Sequence, residues 1–192
     1  MVDIEKMGPC IGGEFLQISA VSFEFGQVVE PVEILENKDR FISLCIKRGN
    51  GTVGGDAKRL WDSAECRDAL AYIEAQPTVP LRDGLAALSS FVKSYLGKKA
   101  CMWSKPPSYD LVALEEGYHK HRMKTPWHYR QQGCVRTLIR LADRVPREKF
   151  KVPDLSAKGL VRHNALHDCV AQTILCQGAY RALLLQQSGR NV

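Results

Sequence analysis

A change of period divides this chain and limits what it can fold into. Residues 16–23 (Leu16-Gln17-Ile18-Ser19-Ala20-Val21-Ser22-Phe23) alternate with the spacing of a strand. Residues 81–96 instead repeat Leu85, Leu88, Val92 and Leu96 on one helical face, with Gly97 just beyond. Around these two anchors the pattern predicts a short opening strand, then a hairpin over 16–35 that turns at Gly26, with 27–35 as its second strand. A third strand follows at 41–46, and a helix at 57–76 is stopped by Pro77. A buried strand at 99–104 ends before Pro106-Pro107, and Ser108 is a suitable N-cap for a helix to about residue 120. Helices at 134–144 and 165–186 complete the reading, the last one capped by Asn164. Strands first, then helices and strands in alternation, predict an α/β or α+β chain with a mixed central sheet flanked by helices. At 192 residues, with no repeat or linker, 1–192 is expected to be one domain.

Composition removes several classes of function. No apolar run approaches the ~20 residues of a membrane span, and no basic-then-apolar leader is present, so a cytoplasmic protein with no membrane partner is expected. The seven cysteines (10, 45, 66, 101, 134, 169, 176) are odd in number and never form C-x-x-C, which argues against a disulfide framework and a structural zinc site. The net charge of +6 is unevenly placed. Residues 118–153 hold ten Lys/Arg (Lys120, Arg122, Lys124, Arg130, Arg136, Arg140, Arg144, Arg147, Lys149, Lys151) against Asp143 and Glu148. A cationic segment in an otherwise slightly acidic chain points to a polyanion partner, against the blander reading of a solvated helix face.

The chemistry-bearing candidates begin at Asp3-Ile4-Glu5. On a strand both carboxylates project from one face, with Cα atoms roughly 6.5–7 Å apart. Such a pair can grip one metal ion or bracket two held about 3.5–4 Å apart, although an acidic pair alone is usually a solvated edge. Asp110 falls in the first turn of a helix, where the helix dipole favours the ionised form. His163 and Asp168 would lie about 140° apart if both were helical. They converge only if His163 belongs to the loop before the Asn164 cap, which leaves His167 pointing elsewhere.

Taken together, these stretches resemble the DnaQ-like (DEDDh) 3′→5′ exonucleases, which share an RNase H-like fold. The first motif is Asp3-Ile4-Glu5 with Met7-Gly8, the second Trp103-Ser104 leading to Tyr109-Asp110, and the third His163-Asn164-Ala165-Leu166-His167-Asp168. Residues 17–23 sit where the family's second strand belongs, and Arg136-Thr137-Leu138 matches a feature of the phage DexA-type branch. The resemblance implies an α/β, RNase H-like chain in which Asp3, Glu5, Asp110 and Asp168 hold two Mg²⁺ or Mn²⁺ ions. It implies His163 as general base and release of nucleoside 5′-monophosphates from single-stranded DNA or RNA 3′ ends, with a lean towards DNA. Homodimers occur in that family. Lys6, Met7, Gly8, Trp103, Ser104, Tyr109, Arg136 and Asn164 are the substrate-side candidates, with Tyr109 the best placed to stack on a terminal base and Trp127 a further stacking candidate. Lys6 departs from the small residue the family has there, and only Met1 and Val2 precede Asp3. Those two departures support a rival reading, a catalytically impaired nucleic-acid-binding module; a polymerase-associated proofreading subunit is a further alternative, although no polymerase-binding tail is visible.

Overall fold

The structure is a computed structural model that describes residues 1–27, 29–97, 100–144 and 159–188, with 186–188 described by backbone alone. Strands β1 (Val2–Lys6), β2 (Phe15–Val21) and β3 (Phe41–Ile46) form an antiparallel ladder, and β4 (Thr78–Val79) joins β3 in parallel. A parallel pair, β5 (Met102–Ser104) with β6 (Gln132–Cys134), brings β5 beside β1. The helices are α1 (Pro31–Glu36), α2 (Gly55–Trp61), α3 (Ala64–Glu74), α4 (Leu81–Tyr95), α5 (Pro107–Lys120), α6 (Val135–Ala142) and α7 (Ala165–Ser188). This is a mixed α/β architecture with a central mixed sheet flanked by helices, compatible with an RNase H-like fold. Among the described residues, no helix is long and apolar enough to cross a membrane.

The strand period of two sorts β1 and β2 into two unlike faces. Val2, Ile4, Ile18 and Ala20 cluster with Leu85 and Leu88 of α4 and with Leu111, Leu114 and Tyr118 of α5. On the other side α7 lies across β1 and β2. There Met1 and Val21 meet Cys169, Val170 and Cys176 of α7 and Val135 of α6, while Asp3, Glu5, Gln17 and Ser19 share that side by alternation. A one-residue slip in register would exchange the two sets, so the apolar cluster fixes where the carboxylates point.

Several boundaries differ from those expected. The partner of β2 is β3, in the register Ser19↔Ser43 and Gln17↔Cys45, and not residues 27–35. Part of that stretch is α1, whose first turn contains Pro31; a fixed φ and no N–H suit a helix start and not an inner strand. The helix expected over 57–76 is two helices, because Ser63 adopts an extended conformation (φ −68°, ψ 156°) after the α2 end at Asp62. The break lets Trp61 turn inward, where its indole N–H donates to the Lys6 carbonyl at 2.9 Å. Pro106 occupies the N-cap of α5 and Pro107 its first turn, so Ser108 lies inside the helix and not at its cap. The strand expected over 99–104 is ordered as Met102–Ser104; Lys99 lies outside the described residues, as do Arg147, Glu148, Lys149 and Lys151 of the basic segment.

Candidate active site

Two elements bring three carboxylates together. β1 carries Asp3 and Glu5, paired with Ser19 and Gln17 of β2, and α7 carries Asp168 one turn from its start. One oxygen from each of Asp3, Glu5 and Asp168 lies within 4.8 Å of the others. Asp3 and Glu5 are buried, with 9% and 8% exposure. Burial, and then the neighbouring carboxylates, push both of their pKa values well above the usual range; for Asp3 the neighbours are Asp110, Glu5 and Asp168. Asp168 is also raised by burial, against the opposing pull of His163, Arg162 and Lys105. Three acids this close cannot all ionise without a counter-charge, and an all-oxygen donor set suits a hard divalent cation.

Asp110 sits beside this group without being one of the three mutually close acids. It is buried in the first turn of α5, and its Oδ2 has no partner among the described residues. Its pKa is raised to about 7 by burial, opposed by the Lys105 backbone, the nearby Ser104 hydroxyl and Arg136. The Ser104 Oγ is itself fully buried and makes no well-formed hydrogen bond among the described residues. Its effect on Asp110 is therefore one of proximity and not of a good bond. An unpartnered buried carboxylate oxygen next to three other acids is a donor that a cation would satisfy.

The start of α7 is built by Asn164. Its Oδ1 accepts from the Leu166 and His167 N–H groups at 3.1 and 3.3 Å, the geometry of an N-cap. His163 is therefore outside the helix, at φ 59°, and its backbone N–H donates to Asp168 Oδ2 at 3.1 Å. The imidazole lies edge-on to Trp61 with ring centres 6.2 Å apart, and Nε2 is 3.9 Å from Glu65 Oε1, which also pairs with Arg162. His167 points away, its Nδ1 accepting from the Val161 N–H at 2.9 Å.

Reasoning from the sequence missed the polar residues that hold these groups. Gln172 Nε2 donates to Asp3 Oδ1 at 2.7 Å. Gln17 Oε1 accepts from the Ala165 N–H at 2.9 Å, and its Nε2 reaches Ser43 Oγ at 3.1 Å; Ser19 Oγ donates to the same hydroxyl at 2.9 Å. Cys169 Sγ contacts the Ser19 carbonyl at 3.4 Å. The Gln172 bond ties α7 to β1, the bonds of Ala165 and Cys169 tie it to β2, and the Ser43 hydroxyl joins β2 to β3, which together set where Asp168 can lie. Two signals were available: Gln172 is four residues after Asp168, on the same helical face, and Gln17 alternates onto the Glu5 side of the sheet.

The expected substrate-side residues divide. Lys6 is buried, its ammonium donating to the Cys10 carbonyl at 2.7 Å and lying 4.3 Å above the Phe15 ring. Met7 packs with Leu16, Cys45 and Trp61, and Gly8 presses against the Thr52 carbonyl so closely that a Cβ would come within 2.1 Å of it. In all three the contacts described are within the chain. Trp103 is half-buried, edge-on to Phe25 at 5.3 Å and stacked over Gly133. Trp127 is core, edge-on to Tyr118 at 5.7 Å with its N–H on Glu115 at 3.1 Å. Tyr109 and Arg136 remain exposed, adjoining Asp110 in sequence and in charge respectively. All seven cysteines are free.

Comparison with known proteins follows the same direction. Residues 1–179 match the model of a family described as 3′-5′ exoribonuclease Rv2179c-like domain. A search of curated proteins finds no match.

Proposed function

We propose that this chain, which belongs to the 3′-5′ exoribonuclease Rv2179c-like family, removes nucleoside 5′-monophosphates from single-stranded RNA 3′ ends in a reaction that depends on divalent metal. Its membership makes it a 3′-5′ exonuclease domain; the substrate, the metals and the residue roles are our reading. The observation that carries the reading is the group Asp3, Glu5 and Asp168 with the free Oδ2 of Asp110 beside it. These four would hold two Mg²⁺ or Mn²⁺ ions. When bound, such ions supply Lewis acidity and make water a competent nucleophile near neutral pH.

The remaining work falls to the chain itself. His163, outside the helix and tied by its backbone to Asp168, is the base that takes the proton of the attacking water on an imidazole nitrogen. Glu65, 3.9 Å from Nε2, balances the imidazolium that results. Tyr109 offers a face for the terminal base, and Arg136 offers a cation for the phosphate beside Asp110. The exposed Lys120, Arg122, Lys124, Arg130, Arg140 and Arg144 would supply cations for the strand behind it. On this reading Asp3, Glu5, Asp110, His163 and Asp168 are the DEDDh set of a DnaQ-like site, and residues 1–192 act as one domain. RNA replaces the DNA suggested by the phage-type resemblance because the family description names an exoribonuclease. The binding-module alternative drew on Lys6 and the short first strand; the Lys6 ammonium is engaged by the Cys10 carbonyl, which weakens the first of these supports.

The test is digestion of matched 5′-labelled RNA and DNA oligonucleotides with Mn²⁺. RNA should shorten from its 3′ end faster than DNA, and EDTA should stop the reaction. An Asp3→Ala variant as active as the wild type would sink the site, and faster digestion of DNA would sink the choice of RNA.

A further inference from the structure

Gln172 lies at the floor of the carboxylate group, and neither the motifs nor the family description assigns it a role. It is 6% exposed, on α7, four residues beyond Asp168. Four residues turn a helix by about 400°, so the two side chains stand one turn apart on nearly the same face. From there Nε2 donates to Asp3 Oδ1 at 2.7 Å. With Asp3 ionised, as a bound cation would keep it, the amide is oriented by chemistry: rotated by 180°, its oxygen would face an acceptor. Its Oε1 is buried and has no partner among the described residues. That oxygen carries a desolvation cost, which an apolar staple between α7 and β1 would avoid.

We propose that Gln172 is a positioning residue, fixing the Asp3 carboxylate through Oδ1 so that Oδ2 is presented to a divalent cation; this rests on the metal-dependent reading given above. The choice of side chain follows from charge. A lysine or arginine at this point would also orient Asp3, but it would supply the positive charge that the acids otherwise draw from a cation. A neutral amide orients without neutralising. The spacing has a second consequence. Asp168 and the group that aims Asp3 ride on one rigid helix, so a shift of α7 moves both together and their relative geometry survives. Asp3 and Asp168 come from elements 165 positions apart in sequence, and Gln172 ties the first to the second's own helix.

The test is Mn²⁺ binding by calorimetry to the full chain, with no nucleic acid present, for wild type, Gln172→Met and Gln172→Asn. Methionine keeps the length and loses the donor; asparagine keeps the amide and withdraws it by one methylene. Both variants are expected to bind Mn²⁺ about 10–100-fold more weakly, the usual range for a lost partner of a metal-binding side chain. At saturating Mn²⁺ the KM for an RNA oligonucleotide should stay within twofold of wild type. Melting in EDTA reports any purely structural contribution, and Gln172→Asn serves where Gln172→Met loses its near-ultraviolet dichroism. A folded variant with wild-type Mn²⁺ affinity overturns the proposal, even if its melting temperature falls. A wild-type chain that takes up no Mn²⁺ overturns the metal-dependent reading and this inference with it.

Discussion

Asp3 and Ile4 are neighbours on β1, yet they live in opposite environments. Ile4 joins Val2, Ile18 and Ala20 against α4 and α5, a face of hydrocarbon closed by Leu85, Leu88, Leu111 and Leu114. Asp3 joins Glu5, Gln17 and Ser19 under α7, where almost every polar atom must find a partner. The first face stabilises through buried area, at about 25 cal/mol per Å². The second uses its hydrogen bonds to fix α7, and it still leaves three carboxylates within 4.8 Å and Asp110 Oδ2 without a partner among the described residues. Both sides of the sheet bury hydrocarbon, but the α7 side also holds an electrostatic strain that a counter-ion would relieve.

The largest effect should come from relieving that strain directly. Glu5→Gln keeps the shape of the side chain and removes one charge from the group. Turnover of an RNA oligonucleotide with Mn²⁺ should fall on the order of 10³-fold, equivalent to about 4 kcal/mol of transition-state stabilisation. In EDTA at pH 8 the same variant should melt higher than wild type, because burial and the charges of Asp168 and Asp110 disfavour ionised Glu5. Loss of both activity and stability would erase the contrast between the faces.

On the opposite face the signs reverse. Leu85 is fully buried, and Leu85→Ala should cost about 2–5 kcal/mol of stability in urea denaturation. Turnover per folded molecule, measured well below the melting temperature, should stay within about threefold of wild type. A large loss of turnover with folding intact would show that the apolar face tunes the site.

Proton linkage separates the faces in a third way. Asp110 titrates at about 7 in the folded chain against 3.8 for an unperturbed aspartate, so the folded state holds a proton that the unfolded state has released. Its contribution is fully present below about pH 4 and is lost as pH rises through about 7. The shift of about 3 units sets an upper bound of roughly 4 kcal/mol. Asp3 and Glu5, raised in the same direction, add to the trend. Denaturation in EDTA from pH 4 to 8 should therefore show falling stability, with a shallower fall for Asp110→Asn. Mn²⁺ should flatten the curve at the alkaline end, since it favours the ionised acids. A rising curve in EDTA would mean that the acids are already compensated within the chain.

What could be read from the sequence follows the range of the interactions. Asp3 and Glu5 share a face by strand period, and Asn164 caps α7 so that His163 stays outside the helix; both are local rules acting over a few residues. The apolar pattern of α4 is equally local, and residues 41–46 read correctly as a strand. Residues 27–35 did not, because Val29, Val32 and Ile34 suit either structure and Pro31 was decisive only as a helix start. Tertiary context also decided the break between α2 and α3, where Trp61 is drawn to the Lys6 carbonyl. The bonds from Gln17 to Ala165 and from Gln172 to Asp3 cross 148 and 169 positions, and no window of sequence contains both ends.

Lys6 gives the smallest expected effect and the finest cut between the faces. It follows Glu5 directly, which suggested contact with substrate, but the ladder shifts register between Glu5 and Lys6, and a bulge re-aims the side chain that follows it. The structure puts its ammonium on the Cys10 carbonyl and over Phe15, with Glu116 and Lys120 of α5 as the nearby charges. Lys6→Met keeps the unbranched stem against Phe15, and the lost bond should change stability by about 1 kcal/mol. The kcat and KM on RNA should stay within twofold of wild type. A KM raised tenfold, with the melting temperature unchanged, would move Lys6 to the carboxylate side and show that the two faces meet at the Glu5–Lys6 bulge.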